Sequence, residues 1–329
     1  MTAPSAVIPS QPQETRRGKV LTIQQQQRRW GWIFLSPWIV GFLLFTLFPM
    51  VASLAFSFTD FKIGQPITFI GLENWKKLFT DPVTLSSLGV TLRFGIFMLP
   101  ISIIFPLLMA TLLNSKLLQA KPFFRLFFYM PYIVPAVSGV LIWQSFLGGQ
   151  TGMLNRALHL VGQSTVGASL LQFIGLDPLP NWLNNTAFIN TGLVLIGLWG
   201  VGNAMLTMMA SMQGVPTELY EAARVDGANG FTMWRRITLP LISPVIFYNL
   251  VLTVIGLMQY FIVPYILSGS ARSDEKTNFI NLHLYRTAFL FQDMGYASAL
   301  AWFLFVIALT FTVILFATAR RWVYYASGD

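Results

Sequence analysis

The chain has 329 residues, 55% of them hydrophobic and only 10% charged, with a formal charge of +9 and no cysteine. A soluble domain carries about 25% charged residues, so this balance excludes an ordinary soluble protein and points to lipid. The absent cysteine excludes disulfides, thiolate metal sites and cysteine nucleophiles, and basic residues scattered between apolar segments argue for orienting loop charges and against nucleic acid.

Residues 1–29 are polar, rich in Pro, Gln and Arg, and include the run Gln24-Gln25-Gln26-Gln27. They predict a disordered cytoplasmic tail, because such a segment cannot bury enough apolar surface to order itself. Its polar start, and the length of the apolar stretch behind it, do not fit a cleavable signal. A spanning helix needs about 20 apolar residues. Six segments meet that length, at about 32–58, 92–113, 124–147, 190–212, 242–267 and 298–319. The predicted fold is therefore all-α, a polytopic bundle of about six transmembrane helices over residues 30–329. Pro49, Pro100, Pro106, Pro135 and Pro264 fall inside these spans, which a bundle tolerates where neighbours satisfy the freed backbone groups. No Asp, Glu, Lys or Arg sits in the centre of any span, and Arg93 and Arg125 fall at margins, within snorkelling reach of headgroups. With the tail inside, the inner segments hold more basic residues, among them Arg28, Arg29, Lys121, Arg125, Arg224, Arg235, Arg236, Arg320 and Arg321, than the outer ones. Both termini are thus expected in the cytoplasm.

The fourth and fifth spans are joined by the loop 213–241, which starts Gly214-Val215-Pro216-Thr217-Glu218-Leu219-Tyr220-Glu221-Ala222-Ala223-Arg224-Val225-Asp226-Gly227. Pro216 suits the first helical position, where its missing N–H has no partner to lose. Glu218 favours the positive end of the helix dipole, and Gly227 is placed for a left-handed cap. Leu219, Ala222, Ala223 and Asp226 fall at i, i+3, i+4 and i+7, so they share one face. A second helical turn is expected from Phe231 to Ile237, ending before Leu239-Pro240. An amphipathic helix on the membrane surface and a helix docking into a partner fit these residues equally well.

Glu221-Ala222-Ala223, Gly227, Ile237 and Leu239-Pro240 resemble, spacing included, the cytoplasmic "EAA" signature of the membrane subunits of binding-protein-dependent ABC importers. The flanks are similar to the maltose- and glycerol-3-phosphate-permease branch: Phe48-Pro49, Ser57-Phe58-Thr59-Asp60, Gly71-Leu72-Glu73-Asn74-Trp75, Tyr129-Met130-Pro131, Tyr285-Arg286-Thr287-Ala288-Phe289, Gly295-Tyr296-Ala297 and Arg320-Arg321-Trp322. The resemblance runs from about residue 30 to the C-terminus. One departure is Leu267-Ser268-Gly269-Ser270-Ala271-Arg272, where that branch commonly has a glycine-rich turn followed by proline. The resemblance implies that the loop is a coupling helix inserting into an ATPase subunit, with Leu219, Glu221, Ala222, Ala223, Asp226, Gly227, Ile237, Leu239 and Pro240 as the coupling residues. It further implies a second homologous permease, a dimer of cytoplasmic ABC ATPase subunits that bind ATP and Mg, an extracytoplasmic solute-binding protein, and a sugar-like solute crossing a bacterial or archaeal plasma membrane.

The chain itself has no phosphate-binding G-x-x-x-x-G-K-[ST] loop, so it is not the ATPase, and no catalytic, metal or cofactor site is expected. His159 and His283 lie far apart outside the spans and read as ordinary loop histidines. A self-sufficient secondary carrier or channel is the alternative, against which the charge-free spans weigh, since a proton relay needs buried ionisable groups. For the solute pathway the candidates are Trp199, Asn203 and Thr207 on the fourth span and Thr253, Gln259 and Tyr260 on the fifth, polar or aromatic groups suited to sugar hydroxyls. The competing role for such residues is hydrogen-bonded or small-residue packing between helices, which Gly197, Gly200, Gly202, Ser298, Ala299 and Ala301 fit.

Overall fold

The computed structural model describes residues 22–115, 118–149, 151–176, 179–183, 185, 188–268 and 277–325. The first of two compact units, Met1–Ser53, holds helix α1 (Ile23–Phe42) and a π-turn, Leu43–Leu47; α2 (Phe48–Phe56) follows directly. Thr22 caps α1 with a capping box: its hydroxyl accepts from the Gln25 N–H, and its own N–H donates to Gln25 Oε1 at 3.1 Å. Residues 23–29, expected in the tail, are therefore helical; the earlier part of the tail lies outside the described residues.

The second unit, Leu54–Asp329, contains α3 (Glu73–Thr80), α4 (Pro82–Asn114), α5 (Lys121–Ile133), α6 (Ala136–Phe146), α7 (Met153–Gly162), α8 (Thr165–Phe173), α9 (Ile189–Trp199) and α10 (Gly202–Gln213). It continues with α11 (Thr217–Val225), α12 (Gly230–Met233), α13 (Leu239–Met258), α14 (Ile262–Ser268), α15 (Ile280–Tyr285) and α16 (Met294–Ala319). Among the described residues the only β pairing is two isolated bridges, Thr59 with Phe69 and Lys62 with Asp293. α4 runs through the centre and packs on α9, α10, α13 and α15. One core joins Phe94 and Met98 of α4 to Leu193 and Ile196 of α9 and to Leu257; a second joins Ala110 and Leu113 to Met205, Met208, Met209 and Met212 of α10 and to Ile242.

Four helical segments are long and apolar enough to span a membrane: Ile23–Phe56, Pro82–Asn114, Gly230–Ser268 and Met294–Ala319. The expected third and fourth spans are each a bent pair, α5–α6 at 105° and α9–α10 at 52°. Pro135 explains the first bend, because a residue before proline is driven out of the helical region, and Val134 is extended at ψ 130°. At the second, the break falls on Gly200 and Val201. A Cβ on Gly202 would lie 2.5 Å from the Phe128 carbonyl oxygen, so its small size lets α10 approach α5. Gly197 likewise abuts Met98, as packing residues would.

Leu239-Pro240 does not end the helix, against expectation. A proline in a regular helix loses one hydrogen bond and presses its ring on the carbonyl four residues back. Here a π-turn, Trp234–Thr238, directly precedes Leu239, whose N–H reaches five residues back to the Trp234 carbonyl. The wider turn takes up the misfit, and the chain stays helical from Gly230 to Met258. The same device precedes Phe48-Pro49, where the Phe48 N–H reaches the Leu43 carbonyl.

Candidate functional site

α11 forms where the loop 213–241 was expected to dock. Pro216 is its N-cap and Thr217 its first residue, one position later than the sequence suggested, and Glu218 occupies the first turn. The C-terminal end closes in a Schellman motif: the Gly227 N–H donates to the Arg224 carbonyl at 3.0 Å and the Ala228 N–H to the Ala223 carbonyl at 2.8 Å. Gly227 sits at φ +78°, a left-handed conformation that glycine adopts without strain. No residue of α11 is buried. Leu219, Glu221, Ala222, Asp226 and Gly227 are exposed, and Ala223 is half-buried. The helix is tied down through Tyr220, whose hydroxyl lies 2.9 Å from Thr238 Oγ1 and whose ring packs on the second core together with Ile237 and Leu239. Pro240 is half-buried beside them. The result is a rigidly capped helix offering a small-residue face, with Val225 89% exposed at its end and Phe231 68% exposed just beyond.

The six pathway candidates do not converge. Thr207 donates to the Ala204 carbonyl at 3.0 Å and accepts from Asn249 Nδ2 at 3.2 Å, a link between α10 and α13. Trp199 packs edge-on against Trp143, over Gly139. Asn203 is exposed and Thr253 half-buried. Tyr260 stacks on Phe94 at 5.0 Å and meets Phe279 edge-on at 5.1 Å. Its hydroxyl is buried with no hydrogen-bond partner among the described residues. Gln259 differs from the rest. It stands at the break between α13 and α14, its carbonyl accepts from Asn281 Nδ2 at 3.0 Å, and it lines an open cavity of about 710 Å3 with Asn281, Phe261, Phe305 and Thr312.

A polar cluster that the sequence did not reveal lies at the start of α4. His283, expected to be an ordinary loop histidine, is buried. The Thr84 hydroxyl lies 2.8 Å from Asp81 Oδ2, 2.8 Å from the Tyr296 hydroxyl and 3.1 Å from His283 Nε2. Its one proton goes to the carboxylate, which only accepts, so His283 Nε2 carries a hydrogen and donates to Thr84. Burial pushes the His283 imidazole below its usual value, reinforced by Arg286 and Lys77 and opposed by Asp81. Partial burial pushes the Asp81 carboxyl up, but hydrogen bonds from Thr84, the Val83 N–H and Tyr296, with His283 nearby, bring it below the ordinary range. Beside it, Arg286 is 5% exposed and donates to Asn278 Oδ1 at 3.2 Å and Ser268 Oγ at 2.9 Å. Asn278 donates to Ser87 Oγ at 2.8 Å, and the Ile280 N–H to Thr91 Oγ1 at 2.9 Å. The network staples the segment 277–296 to α4. A usable signal was Asp81-Pro82-Val83-Thr84, a helix-start pattern. Residues 269–272, where the sequence departs from the maltose-permease pattern, lie outside the described residues.

Residues 96–327 match the family model described as the binding-protein-dependent transport system inner membrane component. A probable ABC transporter permease protein of Bacillus subtilis, YesP, is 36% identical over 302 residues, covering 91% of this chain and 93% of its own length. The arabinooligosaccharides transport system permease protein AraP of the same organism is 31% identical, covering 86% of each chain. Among solved structures, a chain of a bacterial ABC transporter involved in import of the acidic polysaccharide alginate superposes with a TM-score of 0.74 at 25% identity, over 91% of this chain and 98% of that one. The chain described here belongs to the family of inner-membrane components of binding-protein-dependent transport systems.

Proposed function

We propose that this chain is one of two paired permease subunits of an ATP-driven importer for a sugar or oligosaccharide. A second, homologous permease completes the pathway, two ATPase subunits that bind ATP and Mg dock below, and an extracytoplasmic receptor delivers the solute. Both termini and α11 face the cytoplasm in this reading, in line with the excess of basic residues on that side. Its support for coupling is one observation: a firmly capped helix with no buried residue, with Glu221 and Ala222 exposed and Ala223 half-buried beside them. A helix that spends its own hydrogen bonds on rigidity yet leaves most of its small-residue face uncovered suits insertion into a partner's groove. Family membership speaks against the self-sufficient carrier. The solute class rests on the relatives, whose names specify arabinooligosaccharides and alginate.

Of the six pathway candidates, Gln259 is the residue we assign to solute, since it borders the cavity with Asn281, Phe261 and Phe305. Trp199, Asn203, Thr207, Thr253 and Tyr260 are not brought to that cavity. Removing an amide bonded to a buried sugar hydroxyl costs roughly 1–3 kcal/mol. Uptake assays of Gln259→Ala across several sugars therefore test the assignment. A changed sugar preference with an unchanged melting temperature is expected; unchanged preference with lowered melting would make Gln259 a packing residue.

A further inference from the structure

The segment between α6 and α9 carries two short helices, α7 and α8, outside every candidate span. Each has three kinds of face. On α7, Leu154, Asn155, Leu158 and Gly162 turn inward, while Met153, Ala157, Leu160 and Val161, at i, i+4, i+7 and i+8, form an exposed apolar stripe. Arg156 and His159 lie to one side of it. On α8, Gly167 and Leu171 are buried, whereas Val166, Leu170 and Phe173, at i, i+4 and i+7, are exposed. The polar residues Thr165, Ser169 and Gln172 repeat at the same spacing about 100° round the helix, with Ser169 at the edge of the apolar stripe, and α8 has no charged residue. Phe173 is 88% exposed and Val166 81% exposed. A helix whose apolar and polar groups segregate this cleanly, with the apolar side uncovered, is shaped for a boundary between water and an apolar phase.

The hairpin is held firmly. Asn155 is buried, and its amide donates to the Gly149 and Pro180 carbonyls, both at 2.8 Å, while its oxygen accepts from Trp182 Nε1 at 2.7 Å. Leu154 and Leu158 pack on the first core. Gly167 abuts the Val161 carbonyl and Gly162 meets Leu171, closing the turn between the helices. The stripes are thus displayed by an anchored element, not by a stray loop.

We propose that the α7–α8 hairpin is an interfacial element that lays these two stripes into the boundary between lipid headgroups and acyl chains. What identifies lipid as the occupant is continuity. α6 presents Val137, Leu141 and Ile142 to the surroundings, and α7 packs directly against α6, so the stripe on α7 prolongs an apolar surface that belongs to a membrane-spanning segment. Arg156 and His159 beside that stripe suit phosphate headgroups, toward which a long basic side chain extends while its stem stays in apolar contact. The hairpin then clamps the bent α5–α6 segment at the membrane surface, opposing the bundle's tendency to splay there. This assignment is independent of which side of the membrane the hairpin occupies.

The absence of cysteine makes the test direct. Phe173→Cys, Val166→Cys and Leu160→Cys, with Gln172→Cys and Thr165→Cys as polar-side controls, are labelled with bimane in the assembled importer and reconstituted into liposomes. The fluorescence of labels at 173, 166 and 160 is expected to be lost on adding nitroxide-bearing lipid and to resist aqueous iodide. Labels at 172 and 165 should show the reverse. Equal iodide quenching on both sides, without quenching by nitroxide lipid, would overturn the proposal. So would iodide shielding of 173 that arises only when a soluble receptor is added, since the stripe would then be a protein-docking face.

Discussion

Two extramembrane segments of this chain are built on opposite plans. The segment 277–296 buries Arg286, His283, Asn278 and Thr287, and its polar groups are bonded within the protein. The loop carrying α11 buries nothing on its helix and is held chiefly by the Tyr220–Thr238 hydrogen bond and the packing of Tyr220. Both are rigid, yet only the first is complete. A segment that holds helices together satisfies its own polar groups, because unpaired ones in low dielectric are costly. A segment made for a partner stiffens its backbone with caps and leaves the contact face uncovered for the partner to finish.

The sharpest way to break this contrast is to damage the α11 cap. Gly227→Val places a β-branched residue at φ +78°, which costs about 1–2 kcal/mol locally, but nothing in the bundle contacts that site. Transport should be lost while the melting temperature in detergent changes little. Next in size is the opposite outcome from Asp81→Ala, which removes the carboxylate that the Thr84 and Tyr296 hydroxyls share. Losing a shared acceptor inside a buried network costs roughly 1–3 kcal/mol, so melting should fall while ATPase association survives. If Asp81→Ala instead weakened association and left melting alone, the division of labour drawn here would be wrong.

A smaller effect separates the segments by pH. Because the folded His283 sits below its ordinary 6.5, the unfolded chain takes up a proton there before the folded chain does. Stability therefore declines as pH falls below about 6.5. Asp81, held below its ordinary 3.8, contributes stability above that value and loses it only in stronger acid. Melting curves from pH 7.5 to 5 should show the decline in the native chain and a flatter profile in His283→Gln, which keeps a donor for Thr84. The smallest expected change is from Tyr260→Phe: its hydroxyl is buried without a partner among the described residues, so deletion should be neutral or stabilising by up to about 1 kcal/mol. A marked loss of uptake in that variant would return Tyr260 to the solute pathway.

Hydropathy marked four segments that are long apolar helices and two that are bent helix pairs, because apolar length is a property of sequence. It missed the bends because a proline's effect depends on what receives the freed carbonyls: Pro100 and Pro106 lie within the unbroken α4, whereas Pro135 follows a break. The start of α1 was legible in Thr22-Ile23-Gln24-Gln25, a capping-box pattern outweighed by the polarity of its surroundings. At the candidate site, Gly227 and Glu218 stand in the predicted roles because caps are local. The Asp81–Thr84–His283–Tyr296 cluster was not legible as a whole because its two halves, Asp81 with Thr84 and His283 with Tyr296, lie about 200 residues apart in the chain. Gln259 and Tyr260 are neighbours in sequence, but the break after α13 sends one to the cavity and the other into aromatic packing.

The central claim, that α11 is an unfinished docking face, is tested most directly by a single-cysteine variant, Ala222→Cys, in this cysteine-free chain. Its rate of reaction with a water-soluble maleimide is compared in the permease expressed alone and in the complex assembled with its ATPase subunits. The account predicts rapid labelling of the isolated permease and strong protection in the complex, with labelling at the exposed His159 position unchanged. Equal labelling rates at residue 222 in both preparations would contradict it.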